Sequence, residues 1–206
     1  MQKKLSLFYA KVILFSLTIL FLSCKKTSDD YYNNGLKRAE KNDHKGAIVE
    51  YDEAVRINPN DVRFYIKRAM SKHELKDYSG AIRDFSEALK LKNYTDLYYS
   101  RAMIRQKVSD YKGALDDLSK ASESEKDNPN FFSIRGTCKL KLKDYNGALN
   151  DISKSIELKK NQPSLYYLRG MVKLLIHEKE SACEDFHKAK ELKHPEAADS
   201  VNKFCD

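Results

Sequence analysis

Four cysteines, five histidines and three periodic columns of charge are the side chains of this 206-residue chain that could do chemistry. The histidines, His44, His73, His177, His187 and His194, are scattered, with no pair at ligand spacing within one helix. Zinc needs three or four convergent nitrogen or sulfur ligands, so this pattern predicts no metal site. The sequence has no GxSxG, no phosphate loop and no HExxH, the arrangements that expose a nucleophile, cradle phosphates or pair zinc with a general base. Cys138 has no base spaced to activate its thiol. The expectation is a chain that is not an enzyme and holds no cofactor.

The charged columns read as structure rather than as a site. Arg38, Lys72, Arg105, Lys139 and Lys173 form one column, and Arg68, Arg101, Arg135 and Arg169 stand four residues before the last four of these. Glu50, Asp84, Asp117, Asp151 and Asp185 answer them. A basic ladder could take an anionic ligand, but partly buried charges are usually paired, so the matched acids predict ion pairs between neighbouring helices. Of 38 basic residues three lysines precede Cys24, which leaves 35 against 30 acidic ones and a dispersed excess of five. Nucleic-acid binding needs clustered charge, and none is expected here.

What must position these residues is a repeat. Gly46-Ala47, Gly80-Ala81, Gly113-Ala114 and Gly147-Ala148 are 34, 33 and 34 residues apart, and Ser181-Ala182 follows 34 later. Gly35, Ala69, Ala102, Gly136 and Gly170 form a second small column, so all seven glycines are structural. A period in this range marks a helical solenoid, in which each unit buries its apolar face on its neighbours. The phasing gives helix pairs starting near Ser28, Val62, Thr95, Pro129 and Pro163. Pro59, Pro129, Pro163 and Pro195 fall at the junctions, where a missing N–H and a fixed φ end one helix and begin another. Tyr51, Phe85, Leu118, Ile152 and Phe186 lie four residues after each alanine, with a small residue three further on, so bulky and small side chains share one stripe.

Tyr65-x-x-Arg68-Ala69 leading to Asp77-Tyr78-x-Gly80-Ala81-Ile82, and Phe132-x-x-Arg135-Gly136 leading to Asp144-Tyr145-x-Gly147-Ala148-Leu149, resemble the tetratricopeptide repeat. The resemblance implies an all-α, right-handed superhelical solenoid of about five helix pairs, with units at 28–61, 62–94, 95–128, 129–162 and 163–194 and a capping helix in 195–206. Ala198, Val201 and Phe204 would cover the last apolar face. The scaffold serves many unrelated partners and names none.

The first residues differ in kind. Lys3, Lys4 and Lys11 precede an eleven-residue apolar run from Val12 to Leu22, the length of a signal-peptide core and too short for a membrane span. Phe21-Leu22-Ser23-Cys24 resembles the lipobox of bacterial lipoproteins. That implies a signal peptide over 1–23, a lipidated Cys24 that anchors the chain to a membrane, and a polar tether over 24–30. Lys25 after the cysteine implies the outer membrane, on its periplasmic or surface face, by resemblance to Gram-negative lipoproteins. The alternative of a retained anchor over Leu5–Ser23 would bury Lys11, at about 2.5–3.5 kcal/mol.

Of the remaining cysteines, Cys183 lies on the last second helix and Cys205 ends the capping segment that should cover it. They could form a disulfide in an oxidising envelope compartment, or stand as two small buried thiols. In the tetratricopeptide family the first helices line a concave groove, and ligand contact carries over to the residue after each lead aromatic and to the one four beyond. Here these are Tyr32, Ile66, Tyr99, Ser133 and Tyr167, then Leu36, Met70, Met103, Thr137 and Met171. Tyr and Met suit an apolar or aromatic protein or peptide partner, although inter-repeat core would show the same spacing. The expected function is a membrane-anchored scaffold of the cell envelope. The alternative is a lipoprotein that captures a glycan or small metabolite, for which Tyr99 near Asp96 is the one hint.

Overall fold

The computed structural model describes residues 26–121, 125 and 127–205. Among them the backbone forms α1 (Ser28–Glu40), α2 (His44–Ile57), α3 (Val62–Glu74), α4 (Tyr78–Leu91), α5 (Thr95–Lys107), α6 (Tyr111–Ala121), α7 (Pro129–Lys141), α8 (Tyr145–Leu158), α9 (Pro163–Leu175), α10 (Lys179–Glu191) and α11 (Ala197–Phe204), with no strand. The five first helices begin at the residues that the phasing singled out. Each packs on its own second helix, and each second helix packs on the next first helix. The chain is thus an all-α superhelical solenoid of five pairs closed by α11. The signal peptide expected over 1–23 and the lipidation expected at Cys24 lie outside the described residues.

One local device makes every hairpin. Three residues link the helices of a pair, and the middle one is left-handed: Asn42, Lys76, Ser109, Lys143 and His177 have φ between 59° and 67°. This lets the Lys76 N–H donate to the His73 carbonyl at 2.8 Å and the Asp77 N–H to the Lys72 carbonyl at 2.9 Å, satisfying carbonyls at the helix end. The third linking residue then caps the next helix. Asp43, Asp77, Asp110 and Asp144 accept the N–H of Gly46, Gly80, Gly113 and Gly147 at 2.9–3.0 Å. A Cβ on any of those glycines would strike the capping carboxylate, which is why the column is glycine. In the fifth unit both partners change together: Glu178 makes no backbone cap, and the Ser181 hydroxyl donates to its Oε2 at 3.3 Å.

The left-handed positions are where the hairpins store strain, since a side chain there costs about 1–2 kcal/mol and glycine none. Set against the extra chain entropy of glycine, Ser109→Gly is expected to stabilise the protein by about 0.5–1 kcal/mol, read as a rise of a few degrees in Tm. A fall in Tm would mean that Ser109 contributes something beyond the turn.

The caps also set the response to acid. The Gly80 N–H, above all, holds the Asp77 carboxyl below its usual range, and Gly46 followed by Arg38 does the same for Asp43. A carboxyl with a lowered folded pKa stabilises above its unfolded value, near 3.9, and that stability is lost as the pH falls through the folded value. Stability should therefore be level from neutrality to about pH 5 and decline below about pH 4. Asp77→Asn, which still caps but does not titrate, should flatten that decline in a pH series of thermal melts.

The interior follows the bulky and small columns. Tyr51, Phe85, Leu118, Ile152 and Phe186 are all at most 4% exposed. They point at the small column: a Cβ at Gly136 would meet Ile152 Cγ1 at 2.9 Å, and one at Gly170 would meet Phe186 Cε1 at 2.8 Å. At Gly35 it would run into the Tyr51 ring. The charged columns pair as expected. Arg68, Arg101, Arg135 and Arg169 each grip Asp84, Asp117, Asp151 and Asp185 with two bonds of 2.6–2.9 Å. Lys72, Arg105, Lys139 and Lys173 reach the same carboxylates at 2.8–2.9 Å. These are ties within each hairpin, so the ladder is not an anion site. The hydrogen bond from Arg101 to Asp117 holds its guanidinium above the ordinary arginine range, against the opposing effect of burial.

The ends show two further details. The first helix starts at Ser28, where the phasing put it and inside the last residues of the tether expected over 24–30, because the Thr27 hydroxyl and the Asp30 carboxylate form a capping box. Asp29 is also engaged, 2.8 Å from Arg63 of the next unit. The closing helix begins at Ala197 rather than Pro195, and its buried stripe is Ala197, Ser200 and Val201, with Ala198 turned partly outward. Phe204 packs on Phe186 with ring centroids 6.1 Å apart.

Candidate functional site

The first helices α1, α3 and α5 run parallel, and side chains four residues apart on each lie one above the other. Between α3 and α5 they leave a cavity of about 280 Å³ walled by Ile66, Met70, Leu97, Met103 and Ile104, with Phe85 reaching in from α4. His73, Glu74, Ser100 and Lys107 supply its polar margin. A second cavity of about 390 Å³ between α1 and α3 shares Met70 and Glu74 with the first and adds Leu36, Tyr51, His44 and Lys67. A third, of about 440 Å³, shares Ile66 and Leu97 and opens at Asn93, Tyr94, Thr95 and Asp96. The shared walls make one apolar trough over the first three units. Met70, 49% exposed, stands as a ridge at its middle.

The structure divides the expected partner columns. Leu36, Ile66, Met70 and Met103 are brought together in the trough. Tyr32 instead packs against Phe64 and Tyr51, with centroids 5.3 and 6.0 Å away, and lies under Arg63; burial raises its phenol pKa. Tyr99 turns to Phe131 at 6.4 Å, and burial raises its phenol as well. In the fourth unit the Thr137 hydroxyl donates to the Ser133 carbonyl at 2.8 Å. In the fifth, Tyr167 stacks on His194 at 4.2 Å, and Met171 packs in the last core cluster beside Val201. The tyrosines at these positions are joints between units, and the capping segment covers the far end.

Leu97, Ile104 and Tyr94 line the trough without having been singled out from sequence, and Phe85, read from sequence as part of the interlocking column, also reaches it. A signal existed for Tyr94. The junction between the second and third units has no proline, and Tyr94 starts α5 without a side-chain cap. Tyr94, 45% exposed, lines the third cavity together with Asp96, and Tyr99 is not part of that lining.

The thiols fall into separate roles. Cys183 and Cys205 are joined by a disulfide, with Cα atoms 5.6 Å apart, which fastens α11 to α10. Cys138 is fully buried, and burial first, with Asp110 adding to it, pushes its thiol up to about 11. Among the described residues no group of three or more His, Cys, Asp or Glu could hold a metal ion.

With this geometry in hand, the chain can be set beside known proteins. The tetratricopeptide repeat model matches residues 62–94, that is α3, α4 and their turn. No curated protein matches the sequence. Among solved structures, residues 41 to the end of MamA from Desulfovibrio magneticus RS-1 superpose with a TM-score of 0.76 at 19% identity, over 83% of this chain and 97% of that one. YrrB, a TPR protein with an unusual peptide-binding site, superposes with a TM-score of 0.80 at 21% identity, over 90% of this chain and 97% of that one. Identities this low speak to fold alone. In fold the chain is a tetratricopeptide-type helical solenoid, and its second unit matches the repeat model directly.

Proposed function

We propose that this protein is a non-catalytic scaffold, held at a bacterial membrane by a lipid on Cys24, that takes an apolar or aromatic segment of a partner protein into the trough of its first three units. The observation that carries this reading is the run of three joined cavities centred on an exposed Met70. A flexible thioether fits irregular partners, and a preformed apolar cleft with a few polar groups at its margin is the usual shape of a binding site. YrrB, with the same fold and a peptide-binding site, supports a peptide-like occupant. The anchor rests on the apolar run and lipobox-like residues ahead of Cys24, and by the same resemblance the outer membrane is the membrane meant.

Two readouts test the two halves separately. Metabolic labelling with palmitate should mark the wild type and fail with Cys24→Ser; equal labelling would remove the anchor. Crosslinking in the native envelope should join the wild type to one protein and lose that product when Ile66, Met70 and Met103 are all serine, with melting unchanged. A second reading, capture of a glycan or small metabolite, draws on Tyr94 beside Asp96 in the third cavity. It would be favoured if the envelope yields no protein product and a saccharide protects Tyr94 from modification.

A further inference from the structure

All three methionines that follow Met1 stand in one column of the repeat, Met70, Met103 and Met171. The solenoid exposes them unequally. Met70 is 49% exposed and walls both of the first two cavities of the trough. Met103 is half-buried in the wall of the first. Met171 packs in the last core cluster with Tyr167, Leu174 and Phe204.

The other sulfurs of the described residues are closed to mild oxidants. Cys183 and Cys205 are already joined. Cys138 is fully buried, and burial first, then Asp110, pushes its thiol up to about 11, so little of it is the reactive thiolate. A thioether needs no deprotonation, since its sulfur attacks through its own lone pair. Met70 is therefore the most accessible oxidisable sulfur among the described residues.

We infer that Met70 is a site of reversible oxidation that switches partner docking off, an inference that rests on the trough being the docking site. The oxidant is a peroxide. The sulfur attacks one peroxide oxygen, an S–O bond forms as the O–O bond breaks, and the proton on the transferred oxygen passes to the departing hydroxide. Sulfur is oxidised by two electrons to the sulfoxide, and hydrogen peroxide is reduced to water. A flexible apolar side chain thus becomes a polar, chiral one where two apolar cavities meet. An apolar partner settling there would strip water from the S=O dipole without returning a hydrogen bond, so the oxidised trough should bind at least about tenfold more weakly. Methionine sulfoxide reductases reverse the change.

Two measurements test this. In the purified protein, a hydrogen peroxide time course read by peptide mass spectrometry should show sulfoxide at Met70 first, at Met103 later and at Met171 last. Tm should hold while Met70 alone is oxidised. Isolated native envelopes are then treated with peroxide and crosslinked. The wild-type product should be lost, and it should return after treatment with methionine sulfoxide reductases. Met70→Leu, compared with its own untreated sample, should lose none, although its partner has met the same peroxide. Earlier oxidation of Met103 or Met171, an unchanged wild-type product after peroxide, or an equal loss in Met70→Leu would overturn the inference and leave the trough reading standing. So would a Tm that falls as Met70 is oxidised, since docking would then fail through unfolding. If untreated envelopes give no product at all, the trough reading falls and this inference falls with it.

Discussion

Asp117→Ala is expected to destabilise the protein by about 3–5 kcal/mol, the cost of breaking a buried ion pair from one side. Its carboxylate, 1% exposed, accepts two bonds from Arg101 at 2.9 and 2.6 Å and a third from Arg105 at 2.9 Å. Removing it strands two partly buried guanidinium groups between α5 and α6 in the middle of the array. At a few degrees per kcal/mol for a chain of this size, Tm should fall by roughly 10 °C. The matched control is Glu50→Ala in the first unit, whose partner Arg38 is half exposed and also bound to Asp43. Exposed pairs are worth about 0–1 kcal/mol, so this variant should melt close to the wild type. If the two variants melted alike, the buried ladder would not be what ties the hairpins.

The second large effect is at the other end. Cys183→Ser with Cys205→Ser, or reduction of the pair, is expected to cost about 2–4 kcal/mol, given a bridge that closes a separation of 22 residues. Helix α11 is eight residues long, below the length at which a helix holds itself, so packing and the bond keep it in place. Its loss would uncover Phe186, Ala182 and Tyr167, which it and His194 cover. Hydrogen exchange should therefore speed up first in α10 and α11, ahead of global unfolding. Uniform acceleration along the chain would mean that the bond supports more than the cap.

The helix starts, the interlocking columns and the charge ladder were legible because a repeat tests the same reading five times. A glycine at 46, 80, 113 and 147 is one constraint, the capping aspartate, seen four times. The asymmetry between units was not legible. Tyr32, Tyr99 and Tyr167 occupy one column; the first two meet the same position of the next unit, Phe64 and Phe131, while the third meets His194 ahead of the closing helix. What decides between groove and joint is the residue each meets in the next unit, and spacing within a unit does not carry that. Exposure has the same origin, since Met70 is open while Met171 packs under the cap.

The most direct test of the central claim places a photo-crosslinking side chain at position 70, on the ridge of the trough, and separately at Val49, which is 63% exposed on α2. Irradiated in the native envelope, the position-70 protein should give one discrete adduct, mapping to an apolar or aromatic segment of its partner, and the position-49 protein should not. The same adduct from both positions, or one from position 49 alone, would contradict the claim that the trough is where the partner binds.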